Sequence, residues 1–142
     1  MTALEAPGKP TRPRVLIVDD EESMRLFLAR TLVTGLKAEI TLAGTCEQAL
    51  RLAGNHAYDA ILLDLLMPGV GGFEVLREIR RASSNMATPV IIVSVLADQA
   101  TKDRCMKAGA GAYVVKPVER NSLIATVKSQ IAGRGAPRTG RR

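Results

Sequence analysis

The chain has 142 residues, of which 46% are hydrophobic and 24% are charged, as in an ordinary single globular domain. No apolar run approaches the roughly 20 residues that a membrane-spanning helix needs. The first 14 residues contain no continuous hydrophobic segment, which argues against a secretory signal. The sequence therefore predicts a cytoplasmic protein without membrane insertion.

The formal net charge of +6 is concentrated at the two ends of the chain. Residues 1–14 carry +2 and residues 134–142 carry +4, so residues 15–133 are neutral, with 13 basic and 13 acidic side chains. Because a neutral body offers no basic binding face, direct contact with nucleic acid is not expected.

Histidine and cysteine content excludes several kinds of site. His56 is the only histidine, so neither a histidine-rich metal site nor a Ser-His-Asp triad can form. Cys46 and Cys105 show no metal-ligand spacing and are expected to be free thiols.

The chain contains five short apolar segments, at 14–19, 38–43, 59–65, 89–94 and 112–116. They are rich in leucine and β-branched residues and contain few polar positions. Runs of this kind are typical of strands that are buried on both faces of a parallel sheet.

Helix-like segments follow each predicted strand, at 21–34, 46–54, 72–82, 98–109 and 119–132. The apolar face of the first is predicted from Met24, Phe27, Leu28 and Leu32. The first helix is predicted to end at Gly35. Thr45 and Asp98 are predicted to cap the N-termini of the second and fourth helices.

A strand-helix unit repeated five times predicts a three-layer α/β/α sandwich, because right-handed crossovers place helices on both faces of the sheet. One domain is predicted at 13–132. A disordered arm is predicted at 1–12 and a disordered basic tail at 133–142.

Polar side chains stand at the carboxyl ends of four predicted strands, which is where ligands of an open parallel sheet bind. They are Asp19, Asp20, Asp64, Ser94 and Lys116. Each has an ordinary alternative role, such as a helix cap, a loop hydroxyl or a surface lysine. Their coincidence at one edge nevertheless predicts a common site.

The chemistry of these groups indicates phosphoryl transfer. Three close carboxylates repel one another and need a cation, and oxygen ligands favour Mg²⁺, which also accepts phosphate oxygens. A carboxylate can itself be the nucleophile and form an aspartyl-phosphate. Asp64, on the central strand, is the predicted acceptor.

Four blocks of this sequence together resemble the receiver domain of two-component response regulators. They are Asp19-Asp20, "DLLMPGVGG" from Asp64, Ser94, and "YVVKP" from Tyr113. The four blocks occur in the family's order over about residues 13–132. The resemblance implies a (βα)5 flavodoxin-like fold with five parallel strands in the order 2-1-3-4-5. It also implies a stand-alone, chemotaxis-regulator-like switch rather than an enzyme.

By this resemblance, a histidine kinase or histidine phosphotransfer protein phosphorylates Asp64. Asp20, Asp64 and the backbone carbonyl of Leu66 are expected to bind Mg²⁺ directly, and Asp19 to bind it through water. Lys116 is expected to contact the phosphoryl oxygens and to precede a cis peptide bond to Pro117.

The resemblance also implies a conformational switch. Ser94 is expected to bind the phosphoryl group and Tyr113 to turn inward, so that a downstream protein is recognised by helix 4, strand 5 and helix 5. Tyr113 as an ordinary core aromatic is the alternative interpretation.

Four residues depart from the family pattern. Leu66 and Leu96, two residues after Asp64 and Ser94, stand where polar side chains are common, and they predict slow autodephosphorylation. Val95 replaces a small residue and is expected to narrow access to Asp64 or to restrict Tyr113. Gly71 replaces an aspartate that caps the third helix, which predicts a modest loss.

Three other functions are alternatives. The chain can be a receiver excised from a longer regulator with a DNA-binding or enzymatic output domain. A phosphatase with an aspartate nucleophile would need an acid at the position of Leu66. A flavodoxin-type cofactor binder would need more aromatic residues than the two tyrosines and two phenylalanines present.

Overall fold

The computed structural model describes residues 12–135, in which five parallel strands form one sheet. In chain order the strands are β1 (Arg14–Val18), β2 (Glu39–Ala43), β3 (Ala60–Leu63), β4 (Val90–Ser94) and β5 (Ala112–Val115). Their order across the sheet is β2-β1-β3-β4-β5, and every neighbouring pair is parallel. This confirms the predicted flavodoxin-like order 2-1-3-4-5.

A helix follows each strand. The helices are α1 (Glu22–Leu36), α2 (Cys46–Asn55), α3 (Gly72–Ala82), α4 (Gln99–Lys107) and α5 (Arg120–Gly135). α5 continues beyond the end predicted at residue 132. The rest of the predicted disordered arm and tail lies outside the described residues.

Within residues 12–135, no helix has the length and apolar character needed to cross a bilayer.

Side chains of the strands alternate between two buried cores, one on each face of the sheet. On β1, Leu16 and Val18 face the core covered by α2, α3 and α4, whereas Val15 and Ile17 face the core covered by α1 and α5. All four are at most 1% exposed. The layers explain why the strand segments are apolar without alternation, as predicted for a parallel sheet.

Thr45 and Asp98 cap their helices as predicted. The Thr45 side chain accepts a hydrogen bond from the Gln48 amide at 3.1 Å, and Asp98 accepts one from the Thr101 amide at 3.0 Å. The Gln48 side chain reaches the amide of Gly44 rather than that of Thr45, so the reciprocal half of the capping box is displaced by one residue.

Two predictions about α1 are wrong. The helix continues through Gly35 and ends at Leu36, where Lys37 takes the left-handed conformation with a φ of 54°. Gly35 lies where a Cβ would overlap the side chain of Ile124 on α5, so its small size serves helix packing. Phe27 is 38% exposed and does not belong to the buried face, whose buried residues are Leu28, Thr31 and Leu32.

Candidate functional site

The backbone ladder holds three of the predicted site residues at the carboxyl edge of the sheet. The amide of Asp19 donates to the Ala43 carbonyl at 3.1 Å, and the amide of Asp64 donates to the Val18 carbonyl at 3.0 Å. Lys116 lies at the same edge, where its amide donates a hydrogen bond to the Ser94 carbonyl at 2.8 Å. Each residue directly follows its strand, so the sheet itself places these side chains together.

The carboxylates of Asp19, Asp20 and Asp64 form a compact acidic cluster. One oxygen from each lies within 4.8 Å of the others. Asp19 and Asp64 are buried at 1% and 5% exposure, whereas Asp20 is exposed at the mouth of the cluster. Three hard oxygen donors that are accessible from one side suit a divalent cation that keeps several waters, which is the behaviour of Mg²⁺.

Lys116 provides the positive charge between the two buried carboxylates. Its Nζ donates to Oδ2 of Asp19 at 2.9 Å and to Oδ2 of Asp64 at 3.3 Å. Burial alone would lower the pKa of Lys116, but the hydrogen bond to Asp19 and the charge of Asp64 outweigh it. The pKa therefore lies above its usual value, and the ammonium stays protonated.

The carboxylate of Asp64 is held in one orientation. Its Oδ1 accepts a hydrogen bond from the Leu66 amide at 3.2 Å, and its Oδ2 faces the ammonium of Lys116. Burial raises the pKa of Asp64, and the Leu66 amide and the Lys116 charge only partly offset it. The ionised group is therefore less stable here than in water, and a further cation would favour it.

Ser94 and Tyr113 meet at the backbone of Leu96, in the loop that follows β4. The fully buried Ser94 hydroxyl accepts a hydrogen bond from the Leu96 amide at 3.3 Å. The Tyr113 hydroxyl donates to the Leu96 carbonyl at 2.7 Å. Burial raises the pKa of Tyr113. Tyr113 is thus more than a core aromatic, because its hydroxyl holds the loop beside Ser94.

The three residues predicted to modulate the site differ in exposure. Leu66 is 50% exposed and Val95 is 56% exposed, whereas Leu96 is half-buried. Val95 therefore points largely to solvent rather than filling the space between Asp64 and Tyr113. The two exposed side chains give this edge of the sheet apolar surface next to its acidic cluster.

The loop after Asp64 depends on two glycines. Gly71 precedes α3 with a φ of 91° and a ψ of 154°, a conformation that essentially only glycine adopts. The predicted interpretation of Gly71 as a weaker cap is therefore incomplete, because an aspartate here would be strained. A Cβ on Gly72 would overlap the Asp64 carbonyl and lie 2.6 Å from the Leu65 Cα.

Arg25 belongs to the site's surroundings, and the sequence interpretation missed it. Its Nη1 donates to the Asp19 carbonyl at 2.7 Å, and a Cβ on Gly44 would lie 2.9 Å from the same nitrogen. No motif marks Arg25, since its role depends on how α1 crosses the ends of β1 and β2. The Lys116–Pro117 peptide bond is cis, as expected.

Comparison with known proteins agrees with this geometry. Residues 15–128 match the model of the response regulator receiver domain. The chain belongs to the response regulator receiver family. It is a receiver domain of two-component signal transduction.

Relatives of this receiver domain include longer regulators. It is 36% identical over 115 residues to a probable transcriptional regulator, ycf27, of Cyanidium caldarium, covering 81% of this chain and 45% of that protein. It is 33% identical over 119 residues to the response regulator ArlR of Staphylococcus saprophyticus, covering 83% of this chain and 52% of that protein. The receiver domain thus spans about half the length of these curated relatives.

A solved structure resembles this receiver domain closely. The crystal structure of the receiver domain of the sensor histidine kinase PA1611 from Pseudomonas aeruginosa PAO1 has a TM-score of 0.78 and 29% sequence identity. The match covers 86% of this chain and 99% of that one. That structure contains a magnesium ion coordinated in its active site cleft.

Proposed function

We propose that this receiver accepts a phosphoryl group on Asp64 from a phosphohistidine of a histidine kinase or a histidine phosphotransfer protein. The supporting observation is the buried carboxylate of Asp64, held by the Leu66 amide and facing both Lys116 and two further carboxylates. Asp19 is also buried, contacts Lys116 at 2.9 Å and accepts a hydrogen bond from the Glu21 amide, but Asp64 differs from it in following β3, the central strand of the sheet.

Transfer would be a direct displacement at phosphorus. An oxygen of Asp64 attacks, the bond from phosphorus to the donor's imidazole nitrogen breaks, and an acyl phosphate forms as the imidazole leaves. Lys116 is close enough to move from the carboxylate to a phosphoryl oxygen. The protein thus acts mainly by positioning and by neutralising charge, and it catalyses only its own modification.

Magnesium fits the same cluster. Asp20, Asp64 and the backbone carbonyl of Leu66 would hold it directly, and Asp19 would hold it through water. When bound, Mg²⁺ neutralises charge on the phosphoryl oxygens. Lys116 would then release Asp64 and keep its 2.9 Å contact with Asp19.

The switch would run through the loop after β4. The Ser94 oxygen accepts a hydrogen bond from the Leu96 amide, so its proton can be donated to a phosphoryl oxygen on Asp64, and turning toward that oxygen would draw the loop with it. Movement of Leu96 would change the carbonyl that holds Tyr113. A downstream protein would read this change at the surface of α4, β5 and α5.

Asp64→Asn should abolish phosphorylation of the full chain, because the amide lacks the nucleophilic oxygen. Each protein is incubated with Mg²⁺ and a small phosphodonor such as acetyl phosphate, and intact mass is measured. Wild type should gain the mass of one phosphoryl group and Asp64→Asn none. Asp59→Asn, which changes an aspartate at the opposite end of β3, is the matched control and should behave as wild type.

Failure of wild type to gain mass from acetyl phosphate or from a panel of histidine kinases would contradict the proposal. Equal mass gain in Asp64→Asn would place the acceptor elsewhere.

Replacing both Leu66 and Leu96 with asparagine should shorten the lifetime of the acyl phosphate, by about tenfold if a hydrolytic water is positioned. The physical reason is that the leucines leave water without hydrogen-bond partners at the two positions that flank Asp64 and Ser94. Loss of the phosphoryl mass with time measures the effect, and Val70→Asn, another exposed apolar position, is the control. An unchanged lifetime would reject the role of the leucines.

Two kinds of output fit this receiver. A stand-alone receiver in the cytoplasm would act through contacts with a downstream protein. The same domain within a longer regulator would control a DNA-binding or enzymatic domain, which is consistent with the greater length of its relatives. The length of the native reading frame distinguishes the two.

A further inference from the structure

A second concave site lies between α3 and α4 and is separate from the acidic cluster. This α3–α4 groove has a volume of about 760 Å³, and none of the proposed phosphorylation-site residues line it. Its basic lining residues are Arg77, Arg80, Arg81, Arg104 and Lys107. Two glutamates oppose them, so the groove has a net charge of +3 although residues 15–133 are neutral overall.

Two of these five cations already have partners. Arg81 forms a salt bridge with Glu78 at 2.7 Å. Arg80 donates to the carbonyl of Gly109 at 2.9 Å and also to the carbonyls of Asn85 and Met86, so its role is to hold the end of α3 against two turns. Its burial lowers its pKa. These two side chains therefore contribute less to binding than their charge suggests.

Three cations remain without a carboxylate. Within residues 12–135, neither Arg77, Arg104 nor Lys107 forms a salt bridge or a side-chain hydrogen bond. All three are exposed and lie on facing helices of the groove. Glu74 is the one groove carboxylate outside the Arg81–Glu78 salt bridge, so it and the three cations carry a net charge of +2 (3 − 1), and an anionic ligand between the helices would relieve the remaining repulsion.

Arg104 is oriented before any ligand arrives. Its guanidinium carbon lies 3.6 Å from the centre of the Phe73 ring, so the group stacks on the aromatic face. Stacking uses the faces of a guanidinium and leaves its edge N–H groups free, in the fork geometry that matches a carboxylate. The groove therefore offers a carboxylate the stacked guanidinium of Arg104, flanked by the exposed cations Arg77 and Lys107.

The same contact argues against a nucleotide as the ligand. Phe73 is the only aromatic residue among the described residues that line the groove, and Arg104 covers it. A nucleobase would find no free ring on which to stack. The groove residues of α3 run from Phe73 to Arg81, about 12 Å along the helix, which matches about four residues of extended chain.

We propose that the α3–α4 groove binds an acidic segment of a partner protein in an extended conformation. Its carboxylates would pair with Arg104, Arg77 and Lys107. The groove shares no residue with the site at Asp64, so this proposal does not rest on phosphorylation of Asp64. Charge complementarity attracts the segment, and the stacked Arg104 selects carboxylate geometry.

A fluorescein-labelled hexaglutamate peptide tests the proposal with the full chain, by fluorescence anisotropy at low and at physiological ionic strength. Arg104→Glu/Lys107→Glu should weaken binding by about tenfold or more. The matched control, Arg51→Glu/Lys128→Glu, makes the same charge change at exposed positions of α2 and α5 and should stay within about twofold of wild type. Every variant keeps the basic ends of the chain.

Thermal unfolding verifies that each variant is folded, and Arg104→Gln/Lys107→Gln decides the matter if the charge reversal unfolds the chain. Equal binding by the groove variant and wild type would overturn the proposal, because the peptide would then bind the basic ends. Equal weakening by the control pair would overturn it as well. Tighter binding of ATP or pyrophosphate at the same residues would assign the groove to phosphorylated small molecules instead.

Discussion

Gly72→Ala should destabilise the domain by about 3 kcal/mol. The added Cβ would overlap the Asp64 carbonyl and lie 2.6 Å from the Leu65 Cα and 2.9 Å from the Asp64 carbonyl carbon. These atoms belong to the backbone, so no side-chain rotation can relieve the contact. The start of α3 must move away from the loop, and the hydrogen bond from the Gly72 amide to the Leu65 carbonyl would lengthen from 3.1 Å.

Chemical denaturation of wild type and Gly72→Ala measures this effect. Gly54→Ala is the matched control, because Gly54 lies inside α2 with no atom within 4 Å of an added Cβ. That substitution should stabilise the domain by about 0.5–1 kcal/mol, since alanine favours a helix. A Gly72→Ala protein as stable as wild type would mean that the loop is not tightly packed against Asp64.

Lys116→Met should also cost about 3 kcal/mol of stability at pH 7 without divalent cations. The ammonium is the only cation within salt-bridge distance of the buried carboxylates of Asp19 and Asp64 among residues 12–135. Without it two buried negative charges remain unpaired. Lys128→Met, on the exposed face of α5, is the control and should change stability by less than about 0.5 kcal/mol.

The pH dependence of the Lys116→Met protein follows from the carboxyl groups. Burial already places the pKa of Asp64 above its model-compound value of 3.8, and loss of the lysine would raise it further. The folded state then binds a proton more readily than the unfolded state. Stability lost at pH 7 should therefore return as the pH falls through the folded pKa of Asp64 toward 3.8.

Mg²⁺ should restore stability to Lys116→Met at neutral pH, because it supplies positive charge to the same oxygens. The midpoint of urea unfolding, measured with EDTA and with Mg²⁺ at pH 7 and in acid, records both effects. A deficit that persists unchanged under all of these conditions would show that the lysine acts through packing rather than charge.

Much of the site can be predicted from the sequence, because all strands of a parallel sheet end at the same edge. Residues that directly follow neighbouring strands must share one edge, so Asp19, Asp64 and Lys116 meet once the strand order is known. The strands were recognisable since burial on both faces requires apolar residues throughout. Helix caps were recognisable at Thr45 and Asp98 because a cap is a local interaction.

Contacts between segments that are distant in sequence were not predictable in the same way. Asn85, 1% exposed, donates to the carbonyls of Ala53 and His56 at 2.7 Å and accepts a hydrogen bond from the Tyr58 amide at 2.7 Å. It ties the ends of α2 and α3 to the start of β3. In sequence it is one polar residue in a loop, with nothing to mark its burial.

The sequence alone determined the layers, the strand order by family resemblance, and the chemical groups at the sheet edge, because these depend on local pattern and connectivity. Only the tertiary structure decided which small residues are steric requirements. Gly35 was predicted to end a helix and Gly72 only to begin one, yet a side chain at Gly35 would overlap Ile124 and one at Gly72 would overlap the backbone of Asp64. The stacking of Arg104 on Phe73 was likewise visible only in the tertiary structure. Such contacts depend on the distances between helices and strands. The hydrophobic pattern of the sequence predicts each helix or strand but not these distances.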